Sequence, residues 1–146
     1  VRDYLIRKKA AQIFDRARVA LVESGVKDFE EQIIFMVDHI LNQLDDNKTL
    51  LKFISKNLSW GIFTHALESM PMESGETAVL FVRQLFEDSK YTFRNPEMLK
   101  FMIVELVNST AHNVILYKQP VELPELKKEL YPTIRQLIHN FEVTAE

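Results

Sequence analysis

Apolar residues recur every three or four positions along most of the chain, the spacing that places them on one face of an α-helix. The run Ile33–Val37 has the composition of a strand, but it lies within a longer helical stripe that extends from Phe29 to Leu44. The pattern predicts an all-α fold, a multi-helix bundle of about six to seven helices in which residues 1–146 form a single domain.

Capping signals set the bounds of the first three predicted helices. The first runs over residues 1–24 and stops at Gly25, because glycine readily adopts the left-handed conformation that ends a helix. The second begins after Asp28 and the third after Asn47, since both side chains can accept a hydrogen bond from a backbone amide of the first turn. The third helix is predicted to end near Leu58.

The middle of the chain gives weaker signals. Residues 59–72 are apolar but irregular, and the ends of any helix there cannot be placed. Ser74 can cap a helix that runs from Gly75 to about Asp88. Apolar residues on several sides of that helix predict that it is deeply buried.

Two helices are predicted in the last third of the chain. Asn95 is a cap and Pro96 opens a helix that continues to about Tyr117, because proline is well accommodated in a first turn. A short link leads to a last helix that Pro124 opens, and so short a connection predicts an antiparallel pair. Pro132 lies inside the last helix and is expected to kink it.

Composition narrows the function. The absence of cysteine excludes disulfides and thiol chemistry, and three glycines are too few for phosphate-binding loops. No apolar stretch reaches the length of a membrane span and no signal peptide is evident, so a cytoplasmic protein without membrane contact is expected. Residues 1–18 hold six basic residues against two acidic ones, whereas the whole chain has a net charge of −3, so the start of the first helix is its basic end.

Catalytic and metal-binding motifs are not apparent. The four histidines lie far apart in sequence, and no two have the three- or four-residue spacing that would place two imidazoles on one helical face. Motifs for a nucleophile or a phosphate loop are missing as well. We therefore expect no catalytic residue, no metal and no cofactor.

Polar residues on the helix that Pro96 opens are candidates for ligand contact. Glu105, Asn108, Ser109 and His112 form a stripe in an otherwise apolar sequence. The stripe is either the solvated side of the helix or the polar part of an internal cavity that orients a small molecule. The same two interpretations, ligand contact or plain core packing, apply to several aromatic residues and to His39 beside Phe35. The candidate ligand-binding residues are Phe35, His39, Trp60, Phe63, Phe81, Glu105, Asn108 and His112.

Residues 101–138, FMIVELVNSTAHNVILYKQPVELPELKKELYPTIRQLI, resemble the final helix pair of a subgroup of TetR/AcrR-type transcriptional regulators, including the ILY-x-x-P linker. The opening VRDYLIRKKA is similar to the helix that follows the helix-turn-helix in that family. The resemblance implies the effector-sensing and dimerisation domain of a DNA-binding regulator, a repressor that small-molecule binding releases from its operator. The three-helix DNA-binding domain of the family has no counterpart in these residues, so the first helix is expected to continue from it.

The resemblance also implies the partners: a second copy of the chain, a small and largely apolar effector, and DNA only through the preceding domain. The last two helices would pair with their copies in the second subunit. The predicted interface residues are Ser109, Leu116, Leu126, Leu130, Ile134, Leu137, Ile138 and Phe141.

Two other classes of function stay open. A helical protein-interaction module without a small-molecule pocket would have a closed core beside Glu105 and His112. An all-helical enzyme would need convergent titratable groups in one cleft, which the scattered histidines disfavour.

Overall fold

The structure, a computed structural model, describes the backbone of residues 2–57 and 78–143 and the side chains of residues 8–52 and 80–143. Within these ranges the regular structure is helical, and the one β-type pairing is a single antiparallel bridge between Phe93 and Glu142. The predicted all-α, multi-helix fold is confirmed. The described helices are α1 (Arg2–Ser24), α2 (Phe29–Asp45), α3 (Lys48–Asn57), α4 (Ala78–Asp88), α5 (Pro96–Tyr117) and α6 (Leu123–Phe141).

The predicted caps at the ends of the first helices are confirmed. Gly25 follows α1 with a φ of 73°, the left-handed conformation expected at a helix stop. The Asp28 carboxylate accepts a hydrogen bond from the backbone amide of Glu31 at 3.1 Å, so it caps α2. Asn47 caps α3 in the same way, and its side-chain oxygen lies 3.2 Å from the amide nitrogen of Leu50.

The helix α4 is less buried than its sequence predicted. The predicted start, Ser74 and Gly75, lies outside the described residues. From Leu80 to Asp88 every side chain is half-buried or exposed, and Leu80 itself is 49% exposed. Only part of the helix surface meets the rest of its unit, since Phe81 and Leu85 pack against residues of α1 and α2. The expected deep burial is wrong because apolar residues on several sides of a helix do not require a neighbour on each side.

The chain divides into two compact units, and the boundary lies between Asp88 and Ser89. In the first unit α1 packs against α2 and α3, α2 packs against α3, and α4 meets α1. The prediction that residues 1–146 form a single domain stays a prediction. The buried apolar side chains of this unit are Ile13, Ala17, Leu21, Phe29, Ile33, Met36, Leu41, Leu50 and Leu51.

The second unit is the antiparallel helix pair α5 and α6. Asn95 caps α5 and Pro96 stands in its first turn, as predicted. The amide of Arg94 donates to the carbonyl oxygen of Phe141 at 2.9 Å, so the start of α5 lies beside the end of α6. The helix α6 continues through Pro132. The buried side chains of the pair are Leu99, Ile103, Ala111, Val114, Ile115, Leu123, Leu130, Ile134, Ile138 and Phe141.

Candidate effector site

An apolar cluster lies where α1, α2 and α4 meet in the first unit. At its centre Ala17, Leu21 and Met36 are buried, and the first two occupy successive turns of α1. Six half-buried apolar side chains pack against these three, so the cluster has aromatic and aliphatic walls contributed by more than one helix. They are Phe14, Val26, Phe35, Ile40, Phe81 and Leu85.

Aromatic contacts connect this apolar cluster to His39. The rings of Phe35 and His39, one turn apart on α2, are stacked with centroids 6.3 Å apart and planes 20° apart. Phe81 of α4 meets Phe14 of α1 edge to face, with centroids 6.1 Å apart. Three of the predicted ligand-binding residues, Phe35, His39 and Phe81, therefore lie in or beside one cluster.

Gln43 holds the imidazole of His39 from the next turn of α2. Its amide nitrogen Nε2 lies 2.9 Å from Nδ1 of His39 and 2.9 Å from the backbone carbonyl oxygen of Ile13 on α1. A carbonyl oxygen only accepts hydrogen bonds, so the atom facing Ile13 must be the amide nitrogen and not the amide oxygen. Nδ1 of His39 then accepts the second N–H of Gln43. This hydrogen bond requires the tautomer of His39 in which the ring proton is on Nε2.

The other polar atom of Gln43 has no partner. Its amide oxygen Oε1 is buried and makes no hydrogen bond among the described residues. An unpaired buried acceptor costs about 1–3 kcal/mol, so the position of Gln43 carries a penalty that its two donated bonds offset.

Sequence reasoning missed Gln43. Its spacing of four residues from His39 and eight from Phe35 was the available signal, because that spacing puts all three on one face of α2.

The polar stripe of α5 is placed in the second unit. Glu105, Asn108 and His112 are half-buried and Ser109 is exposed, whereas the buried residues of α5 lie on the opposite side of the helix. Nδ1 of His112 is buried and has no hydrogen-bond partner within the described part of the chain, and the ring meets Tyr117 edge to face at 5.9 Å. The stripe therefore borders the outer side of the pair.

The eight predicted ligand-binding residues thus divide by unit. Phe35, His39 and Phe81 belong to the first, and the polar residues of α5 belong to the second. Trp60 and Phe63 lie outside the described residues.

The eight predicted dimer-interface residues fall into two groups that differ in burial. Leu130, Ile134, Ile138 and Phe141 of α6 are at most 4% exposed within the single chain, so they are core side chains and cannot form a free surface. Their place in a dimer interface stays a prediction that this burial does not support, because a helical apolar stripe has the same spacing whether it faces the chain's own core or a second copy. The other four, half-buried or exposed, stay predictions: Ser109, Leu116, Leu126 and Leu137.

The exposed faces of α5 and α6 differ in character. On α5, Met98, Met102 and Tyr117 are 44%, 39% and 60% exposed. Met98 and Met102 lie along one side of the helix together with Ser109, and Tyr117 lies at its end, about a quarter of a turn around the axis from Ser109. We call these four residues the α5 outer face. On α6 the exposed residues from Pro124 to Asn140 are all polar or proline. The α5 outer face therefore contains apolar area that α6 lacks.

Among the residues whose positions are described, no group of three or more acidic or histidine side chains could hold a metal ion. None of the described helices is long and apolar enough to cross a bilayer. The chain matches no family model, no curated protein and no solved structure.

Proposed function

We propose that this chain is the effector-sensing and dimerising domain of a TetR-type regulator, in which binding of a small molecule releases DNA. The observation that carries the proposal is the position of His39, which contacts Gln43 and Phe35 beside an apolar cluster that joins α1 to α2. A few fixed polar groups in an apolar wall are what orients a small ligand. The similarity of residues 101–138 and of the opening helix to that family supplies the regulatory role.

The proposed effector is apolar in bulk and carries one hydrogen-bond acceptor. Nδ1 of His39 is engaged by Gln43, so Nε2–H is the ring's remaining donor. An acceptor such as a carbonyl or phenol oxygen would pair with that N–H, while the apolar part of the molecule packs on Phe35 and Phe81. The two aromatic side chains are half-buried, so repacking them makes room without opening the buried core.

Transmission would run through α1. The apolar cluster includes Ala17 and Leu21 of that helix, so a molecule that displaces Phe35 or Phe81 changes the packing against α1. In the proposed protein α1 continues from the DNA-reading domain. The exposed Lys8, Lys9 and Arg16 belong to its basic first part, as suits a position near phosphates. An effector acts in this scheme only through its different affinity for the two arrangements of α1.

Dimerisation would use the α5 outer face. Its methionines and tyrosine are the side chains that protein interfaces favour, and methionine adapts to irregular contacts. The predicted contacts Ser109 and Leu116 lie on or next to this face, whereas the exposed side of α6 is polar. The proposal therefore places the larger share of the contact on α5.

A ligand screen on the chain tests the site. Thermal unfolding is recorded with a panel of apolar molecules that do or do not carry a carbonyl or phenol oxygen. The proposal expects stabilisation by members that carry the acceptor, and about five- to tenfold weaker binding to His39→Phe, which keeps the ring on Phe35 but removes the donor. His139→Phe, at an exposed histidine of α6, is the matched control and keeps the affinity of the original chain. Equal binding to both variants would place the site elsewhere.

A further inference from the structure

The hydrogen bonds of Gln43 depend on the protonation state of His39. We infer that Gln43 is a proton-sensitive connection between α1 and α2, which joins the two helices while His39 is neutral and releases α1 when His39 is protonated. This inference does not depend on the proposed function. It rests on three atoms: Nε2 of Gln43, Nδ1 of His39 and the carbonyl oxygen of Ile13.

In the neutral state the Gln43 amide nitrogen uses both of its protons. One goes to the Ile13 oxygen on α1 and the other to Nδ1 of His39, each over 2.9 Å. The bond to Ile13 spans 30 residues of sequence and is the one that joins two helices, whereas the bond to His39 lies within α2. Nδ1 of His39 serves as the acceptor only while it has no proton.

Protonation places a hydrogen on Nδ1, which then needs an acceptor. Two donors cannot share one hydrogen bond, so the Gln43 amide has to turn and present Oε1 to His39. Oε1 would then also face the Ile13 carbonyl oxygen, and two acceptors repel. Turning the amide breaks no hydrogen bond of Oε1, because this oxygen is buried and has no partner among the described residues. Protonation thus exchanges the bond between the helices for one within α2.

The proposed response to pH is assigned to His39 and not to the charged groups on the surrounding helices. No ion pair to His39 occurs among the residues that the structure describes. On α2 itself, Asp38 accepts a hydrogen bond from Asn42, and Asp45 pairs with Lys48 of α3. On α1, Asp15 pairs with Arg18. Of the other charged side chains, Glu30 of α2 is buried. The exposed ones include Lys9 and Arg16 of α1, Lys52 of α3, and Arg83, Glu87 and Asp88 of α4.

Nuclear magnetic resonance of the unmodified chain tests the first half of the inference. Long-range correlations between ring protons and ring nitrogens identify which nitrogen of His39 carries the proton. In spectra recorded as the pH is lowered we expect the Nε2–H form first, and then the doubly protonated ring together with a changed side-chain amide signal of Gln43. The Nδ1–H form at the higher pH would overturn the inference, as would a Gln43 amide signal that does not respond to titration of His39.

Hydrogen exchange tests the second half. After correction for intrinsic rates, the amides of α1 around Ala17 should exchange about two- to tenfold faster at the lower pH, the factor that corresponds to one net hydrogen bond. His39→Phe and Gln43→Leu should each abolish that difference, and His139→Phe should retain it. The inference is wrong if His39→Phe keeps the full pH dependence. Should either variant fail to fold, the titration of the unmodified chain decides the matter alone.

Discussion

The side-chain amide of Gln43 on α2 donates a hydrogen bond of 2.9 Å to the backbone carbonyl oxygen of Ile13 on α1. The same nitrogen lies 2.9 Å from Nδ1 of His39. A single glutamine therefore connects the two longest described helices of the first unit and contacts the imidazole beside the apolar cluster. In the proposed mechanism, a change at His39 by a ligand or by a proton would reach α1 through this side chain.

Substitutions on α6 distinguish a core role from an interface role. Ile138 is fully buried and Leu137 beside it is half-buried. We expect Ile138→Ala to lower the free energy of unfolding by about 2–5 kcal/mol, because it removes buried methyl groups and leaves a cavity. Leu137→Ala should cost clearly less. Urea titration below the concentration at which the chain associates measures both, and equal losses would contradict the burial of Ile138.

The α5 outer face gives a prediction about assembly. Met98→Lys combined with Met102→Lys places two charges one helical turn apart on an exposed surface, so we expect the fold to persist and the dimer to be lost. Gln136→Lys with Asn140→Lys is the matched control, since it puts the same charges at the same spacing on the exposed face of α6. Light scattering coupled to size exclusion measures the mass. A chain that is monomeric before any substitution would contradict the predicted dimer interface.

The cap of α2 gives a prediction about stability. Asp28→Ala removes the acceptor for the Glu31 amide, and we expect a loss of about 0.5–2 kcal/mol. Asp28→Ser restores an acceptor at the same position and should recover most of that loss. Chemical denaturation at neutral pH compares the three proteins. If the alanine variant unfolds at the same denaturant concentration as the original chain, the cap does not contribute.

Gly25 gives a prediction about the end of α1. Its φ of 73° is unfavourable for a residue with a Cβ, although a Cβ built there meets no atom within 4 Å. We expect Gly25→Ala to destabilise the chain by about 1–2 kcal/mol through backbone strain alone. Gly25→Asn should cost less, because asparagine tolerates the left-handed region. Thermal unfolding of the two variants gives the order, and a more stable alanine variant would contradict this conformation.

Local signals predicted the helices well because caps act within one turn. Asp28, Asn47 and Asn95 each accept the bond expected of them, and Pro96 opens α5 where the pattern placed it. Burial is a property of tertiary packing, so periodicity could not reveal it. The same spacing that identified Ile134 and Ile138 as a stripe left open whether that stripe faces the chain or a partner.

The candidate site was predicted only in part for the same reason. The aromatic residue Phe35 and the histidine one turn later were visible as neighbours on one helical face. The acceptor that fixes Gln43 is a backbone oxygen of another helix, and the sequence has no residue type that marks such an atom. The polar residues of α5 were recognised as a pattern in the sequence. That they belong to a different unit from Phe35, His39 and Phe81 depends on which helices pack together.

Sequence-selective DNA binding by the natural full-length protein is the most direct test of the proposed function. Duplexes selected from a random pool should converge on a two-fold symmetric site bound by a dimer, and an effector found through His39 should release the protein from it. Selection that yields no preferred sequence, at a salt concentration where non-specific contacts are weakened, would contradict the assignment to a TetR-type regulator.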